Sequence, residues 1–213
     1  MNIVIIDYGA GNIKSVKNAV EKILEEKNLP NSSVIISSKK SDIENSTHLI
    51  LPGVGAFGDC VQGLEKNELI SEIKKQALTN KKPFLGVCVG MQVMADFGYE
   101  DGKYEGLGLI SGEVKKIDSQ NNLLKIPHMG WNNIEILQNN HKILQNISSD
   151  EHFYFANSYH FIAKNKDELV AEVFYGQKIT AIIAKENILG IQFHPEKSGE
   201  VGLEILKNFI TNY

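Results

Sequence analysis

Gly86-Val87-Cys88-Val89-Gly90 frames a cysteine with glycines directly after the apolar run Pro83-Phe84-Leu85. A strand ending in Gly-x-nucleophile-x-Gly must turn sharply into a helix, since only glycines let strand and helix come so close. The turn holds the nucleophile out on strained backbone. Far along the chain, Ile188-Leu189-Gly190-Ile191-Gln192-Phe193-His194-Pro195-Glu196 supplies a base and a carboxylate. Pro195 pushes His194 toward extended backbone, where side chains two apart share a face, so Glu196 can take the ring N–H and fix the tautomer. Thiol, imidazole and carboxylate are the parts of acyl transfer through a thioester.

Plainer readings compete. Most free cysteines are small buried hydrophobes, and Cys60, which has no glycine frame, keeps that reading. A lone histidine usually has no catalytic task, and His-Pro-Glu gains weight only beside the cysteine turn. An oxyanion hole is also required: the amide of Val89 follows the nucleophile, and the glycine-rich turn Pro52-Gly53-Val54-Gly55 can aim another amide. Two rival chemistries fail. Gly9-x-Gly11 starts a dinucleotide fingerprint, but Lys14 stands in place of its third glycine. His194-x-Glu196 echoes zinc deaminases without their Cys-x-x-Cys pair. No metal and no cofactor are expected.

These residues need elements to hold them. Residues 3–6, 34–36, 48–51 and 84–87 read as strands, the third stopped by Pro52-Gly53. Helical spacing runs over 13–24, 57–64, 69–78 and 89–97, with Asn12 as N-cap of the first helix. This alternation predicts an α/β fold: an open, mostly parallel sheet with helices on both faces and the site at the carboxyl ends of the strands. The loops after Asp7, Leu51 and Val87 should meet there. Short strand-like runs at 107–117, 132–136, 153–161, 169–175, 179–185 and 189–193 predict an antiparallel extension in the second half, and 199–213 a closing helix. No linker separates the halves, so residues 1–213 read as one domain.

A net charge of -4 gives no basic footprint, which argues against nucleic acid. All 22 cationic residues are lysines, so a bidentate arginine clamp on phosphate is excluded. Two cysteines make no disulfide framework, the N-terminus opens straight into a strand pattern, and no apolar stretch nears the ~20 residues of a membrane span. A cytoplasmic protein is expected.

Together, Pro52-Gly53-Val54-Gly55, Gly86-Val87-Cys88-Val89-Gly90-Met91-Gln92 and Gln192-Phe193-His194-Pro195-Glu196 resemble the class I, triad-type glutamine amidotransferases. Asp7-Tyr8-Gly9-Ala10-Gly11-Asn12, Pro127-His128-Met129-Gly130-Trp131-Asn132 and His194-Pro195-Glu196-Lys197-Ser198 are similar to the glutaminase subunits of imidazole glycerol phosphate synthases, across essentially the whole chain. The resemblance implies that Cys88 attacks the glutamine side-chain amide while His194, oriented by Glu196, moves protons. It implies Val54 and Val89 as oxyanion donors, the Val54 peptide flipping first, and Gly53, Gly55, Gln92, Glu100, Ser158 and Tyr159 as the glutamine site. It implies a (β/α)8-barrel synthase partner, one to one, that receives ammonia for histidine biosynthesis, with Asn12, Trp131, Tyr154 and Lys197 at the interface. By themselves Trp131 and Tyr154 read as core aromatics, Lys197 as a solvated charge and Gln92 as a surface residue. Asn157 stands where the family usually has histidine. Two alternatives stay open: a related subunit feeding a barrel synthase in surface-sugar biosynthesis, and a noncatalytic module that stabilises a barrel.

Overall fold

The computed structural model describes residues 1–9, 11, 13–29, 31–121 and 123–213. Strand β1 (Asn2–Ile6) carries four successive buried apolar residues, the pattern of a strand covered on both faces. Helix α1 (Ile13–Glu26) buries Ile13, Val16, Val20, Ile23 and Leu24, the expected stripe. Then come β2 (Ser33–Ser37), α2 (Lys40–Asn45), β3 (His48–Gly53), α3 (Phe57–Lys66) and α4 (Ile70–Lys74), which continues as a π-helical turn over Lys75–Thr79. Strand β4 (Phe84–Cys88) leads into α5 (Val89–Gln92). Strands β5 (Phe97–Gly98), β6 (Tyr104–Glu105), β7 (Gly112–Lys116), β8 (His128–Asn133), β9 (Glu135–Ile136), β10 (His152–Asn157) and β11 (Tyr159–Ala163) follow. The chain closes with β12 (Leu169–Phe174), β13 (Lys178–Lys185), β14 (Ile188–Ile191) and α6 (Gly199–Asn212).

The main sheet runs β2-β1-β3-β4-β14-β13-β12-β9. Its first five strands are parallel and the rest antiparallel. With this strand order, the right-handed crossover rule assigns α1 to one face and α2 to α4 to the other; α6 packs on α1. The register decides the site. Gly86 of β4 lies between Leu51 of β3 and Gly190 of β14, so the carboxyl ends of the three strands finish side by side.

Four expectations need correction. β3 does not stop at Leu51: Pro52 and Gly53 pair with Val87 and Cys88. Proline is tolerated there because the ladder is ending and its missing N–H costs little. The helix expected over 89–97 is a single turn. Asp96 ends it, because its N–H bonds Gly112 C=O at 2.9 Å and its carboxylate accepts from Gly112 N–H at 3.0 Å. The run 107–117 is strand only from Gly112 to Lys116. The run 153–161 breaks at Ser158, and its halves join different small sheets, β10 with β8 and β11 with β7, β5 and β6. The antiparallel extension of the main sheet is present, and these two sheets stand outside it. Among the described residues no helix is long and apolar enough to cross a membrane.

Phe193 ties the end of β14 to the β8–β10 ribbon. It is fully buried, its ring centroid 4.2 Å from that of Phe153 and 5.8 Å from that of Phe155. Truncating such a ring to alanine costs about 3–5 kcal/mol. The segment it anchors carries His194.

Candidate active site

Cys88 sits at φ +54°, ψ −114°, a conformation that costs a non-glycine residue about 1–3 kcal/mol. Its neighbours hold it there. A Cβ on Gly90 would lie 1.8 Å from Leu51 O, and one on Gly86 2.6 Å from Gly90 O, so α5 rests directly on β3 and β4. One turn of helix carries little macrodipole, so activation of the thiol falls mainly to its side-chain neighbours.

His194 is one of them. Its Nδ1 lies 3.0 Å from Glu196 Oε1, which leaves Nε2 for the hydrogen bond with Cys88. Burial works against the charged ring, but hydrogen bonds to Cys88 and Glu196, and the negative charge each can carry, more than offset it. The His194 pKa is pushed up to about 9. An imidazolium held beside a sulfur is the pairing that sustains a thiolate nucleophile. The backbone is clamped as well. His194 N–H donates to Tyr154 C=O at 2.9 Å, Ser198 Oγ–H donates to His194 C=O at 2.6 Å, and Tyr154 N–H donates to Ser198 Oγ at 3.0 Å.

Sequence reasoning missed the third neighbour. Gln192, fully buried, points Nε2 at Cys88 Sγ across 3.7 Å. Its Oε1 accepts from Gln92 Nε2 at 3.1 Å, and Gln92 Nε2 also donates to Tyr159 C=O at 2.9 Å. A polar residue inside the otherwise apolar run 188–193 was the available signal. Gln92, read alone as a surface residue, is 3% exposed.

Cys88, Val89, Gln92 and His194 open on a cavity of about 320 Å³, within the range of small-molecule sites. Gly55, Glu100, Ser158, Tyr159 and Lys197 also line it. Glu100 Oε2 accepts from Phe57 N–H at 2.7 Å. Burial raises its pKa, opposed by that bond and aided by Asp101 and Asp59. Gly53 stands behind the wall, where a Cβ would be 2.5 Å from Gly90 N. Val54 also lines the cavity, but its N–H is turned to the Tyr8 hydroxyl, a buried group without a well-formed hydrogen bond. Cys60 keeps its structural reading: it is buried and its thiol is pushed up to about 12 by that burial.

Asn157 is buried at the cavity, opposite His128 in the ribbon, and donates Nδ2 to Tyr159 C=O at 3.0 Å. Trp131 is 57% exposed and Met129 66%, so Trp131 is no core aromatic. Tyr154 is half-buried, edge-on to Trp131 at 5.9 Å, with Lys197 Nζ 5.7 Å from its ring. Asn12 lies outside the described residues.

The chain is similar to known proteins over its whole length. The class I glutamine amidotransferase family model matches residues 4–213. The chain is 44% identical to imidazole glycerol phosphate synthase subunit HisH of Pelagibacter ubique over 99% of both chains. It is 45% identical to subunit HisH 1 of Campylobacter jejuni over 97% of this chain and 98% of that one. Among solved structures, a glutamine amidotransferase from Thermotoga maritima has the same fold, with TM-score 0.70 at 16% identity, over 100% of this chain and 97% of that one. A chain whose three strand ends gather this thiol, imidazole and carboxylate, and whose relatives match it end to end, belongs to the class I glutamine amidotransferase family and, within it, to the HisH family.

Proposed function

We propose that the chain, as one domain over 1–213, is the glutaminase subunit of an imidazole glycerol phosphate synthase. The reading is carried by the register of β3, β4 and β14, which puts Cys88 beside His194 with Glu196 behind it. His194 takes the Cys88 proton, and the thiolate attacks the side-chain carboxamide carbon of glutamine. The oxyanion is met by Val89 N–H and, once the Gly53–Val54 peptide turns from Tyr8, by Val54 N–H. His194 returns its proton to the departing nitrogen, and ammonia leaves a thioester on Cys88. His194 then takes a proton from water, the hydroxide attacks the thioester, and glutamate and the thiolate separate. Glutamine and water become glutamate and ammonia.

Glu100 and the backbone around Gly55, Ser158 and Tyr159 hold the amino-acid end of glutamine. Both hydrogens of Gln92 Nε2 are spent on the protein, so it offers the substrate an acceptor, Oε1. The surface of Trp131, Tyr154 and Lys197 docks a (β/α)8-barrel synthase, one to one, which uses the ammonia without its reaching bulk water. The complex works in the cytoplasm. The names of the relatives favour this pathway over surface-sugar biosynthesis. Glutamate release measured with and without the synthase partner and its substrate tests the reading: partner-dependent hydrolysis is expected, and its absence defeats it. The Cys88→Ala complex should lose glutamine-dependent turnover while still using added ammonia; a noncatalytic module would be indifferent to the change.

A further inference from the structure

We propose that Gln192 is a further catalytic residue, an amide N–H donor that supports negative charge on Cys88 Sγ as the thiolate forms and as it leaves the second tetrahedral intermediate. The inference rests on Cys88 being the nucleophile.

Donor–acceptor logic fixes the direction of the Gln192 amide. The anchor is Tyr159 C=O, a backbone group that can only accept. It accepts from Gln92 at 2.9 Å and from Asn157 at 3.0 Å, so Gln92 must present nitrogen there. The same nitrogen faces Gln192 at 3.1 Å, so Gln192 must present oxygen to it. Its remaining end, Nε2, is then left for Cys88 Sγ at 3.7 Å. Reversing Gln192 would set two N–H groups against each other; reversing Gln92 would set an amide oxygen against a carbonyl. Asn157 belongs to the same chain, because it holds the carbonyl that sets the direction of the rest.

The sulfur is therefore held between two donors, His194 when protonated and Gln192 permanently. Gln192 is fully buried, so no water competes for its N–H. A neutral donor stabilises a thiolate more than a thiol, since charge-assisted hydrogen bonds are roughly twice as strong as neutral ones. Gln192 keeps its N–H throughout the cycle, while the charge on His194 comes and goes. Among the described residues, Glu100 and Lys197 share the cavity with the sulfur, Glu196 acts on it through His194, and burial keeps the Tyr8 hydroxyl neutral across the working range.

The test is the pH profile of Cys88 alkylation by iodoacetamide in the isolated chain, read by mass spectrometry, for wild type, Q192M and Q192E. Methionine keeps the length and packing of glutamine without its N–H. Glutamate keeps an acceptor for Gln92 but puts another acceptor against the sulfur. The midpoint should rise by about one pH unit in Q192M, making alkylation about tenfold slower below it, and further in Q192E. Circular dichroism melts identify the variants that fold. A profile superimposable on wild type in any folded variant overturns the proposal, because a packing role alone would leave it unmoved. The measurement needs neither glutamine nor partner, so it can fail while partner-dependent hydrolysis stands, and the reverse.

Discussion

A single methyl group on Gly90 would stand 1.8 Å from the carbonyl oxygen of Leu51. The obstacle is backbone, so relief requires moving α5 away from β3, and Cys88 with it. Gly90→Ala should cost about 3 kcal/mol, lowering the melting temperature by roughly 6–12 °C. The folded remainder should lose glutaminase turnover. Thermal melts and glutamate release check both; an unchanged melt would mean that the strand and helix are less tightly apposed than described.

Glu196→Gln keeps a hydrogen-bonding partner near His194 Nδ1 but removes its charge. The carboxylate is among the causes holding the His194 pKa up to about 9, so the substitution lowers it. Turnover of glutamine in the complex should fall about 100-fold, with the KM for glutamine little changed. Steady-state kinetics across pH separates this from a binding defect.

Stability should pass through a maximum near pH 6.5. His128 and His160 are buried, and burial lowers both pKa values to about 4. The unfolded chain then binds more protons than the folded one between about pH 6.5 and 4, and stability is lost as pH falls through that window. His194 has the opposite sign. Its folded pKa of about 9 exceeds the unfolded value, so its contribution is fully present below pH 6.5 and is lost as pH rises through 9. Urea titrations at intervals from pH 4 to 10 should trace both limbs, and His160→Gln should flatten the acid one only.

Trp131→Ala should leave the melt of the isolated chain unchanged, because the ring is 57% exposed. It should weaken binding to the synthase partner by about 2 kcal/mol, roughly 30-fold in Kd. Calorimetric titration of the partner reads this directly; unchanged affinity would move the docking surface elsewhere.

The elbow was legible because glycines framing a cysteine after an apolar run mark a strand turning sharply into a helix, whose first turn must rest on backbone: Gly86 on Gly90, and Gly90 on Leu51. His194 and Glu196 were legible because Pro195 fixes the backbone between them. The length of α5 was not, since it is ended by Gly112, a residue 20 positions beyond Gln92 and brought back by the pairing of β5 with β7. The split at Ser158 depends likewise on which distant strands claim each side, β8 for one and β7 for the other. Gln192 escaped notice because its partners, Gln92 and Cys88, lie 100 and 104 residues away. Sequence spacing announces contacts along one turn or strand, not between the ends of neighbouring strands.

Tyr154 faces two ways. Its ring meets Trp131 and Lys197 near the surface, while its carbonyl grips the amide of His194 and its amide grips Ser198. Any body leaning on that aromatic edge pushes on the residue whose backbone holds the imidazole in place, by one direct hydrogen bond and by a second route through Ser198.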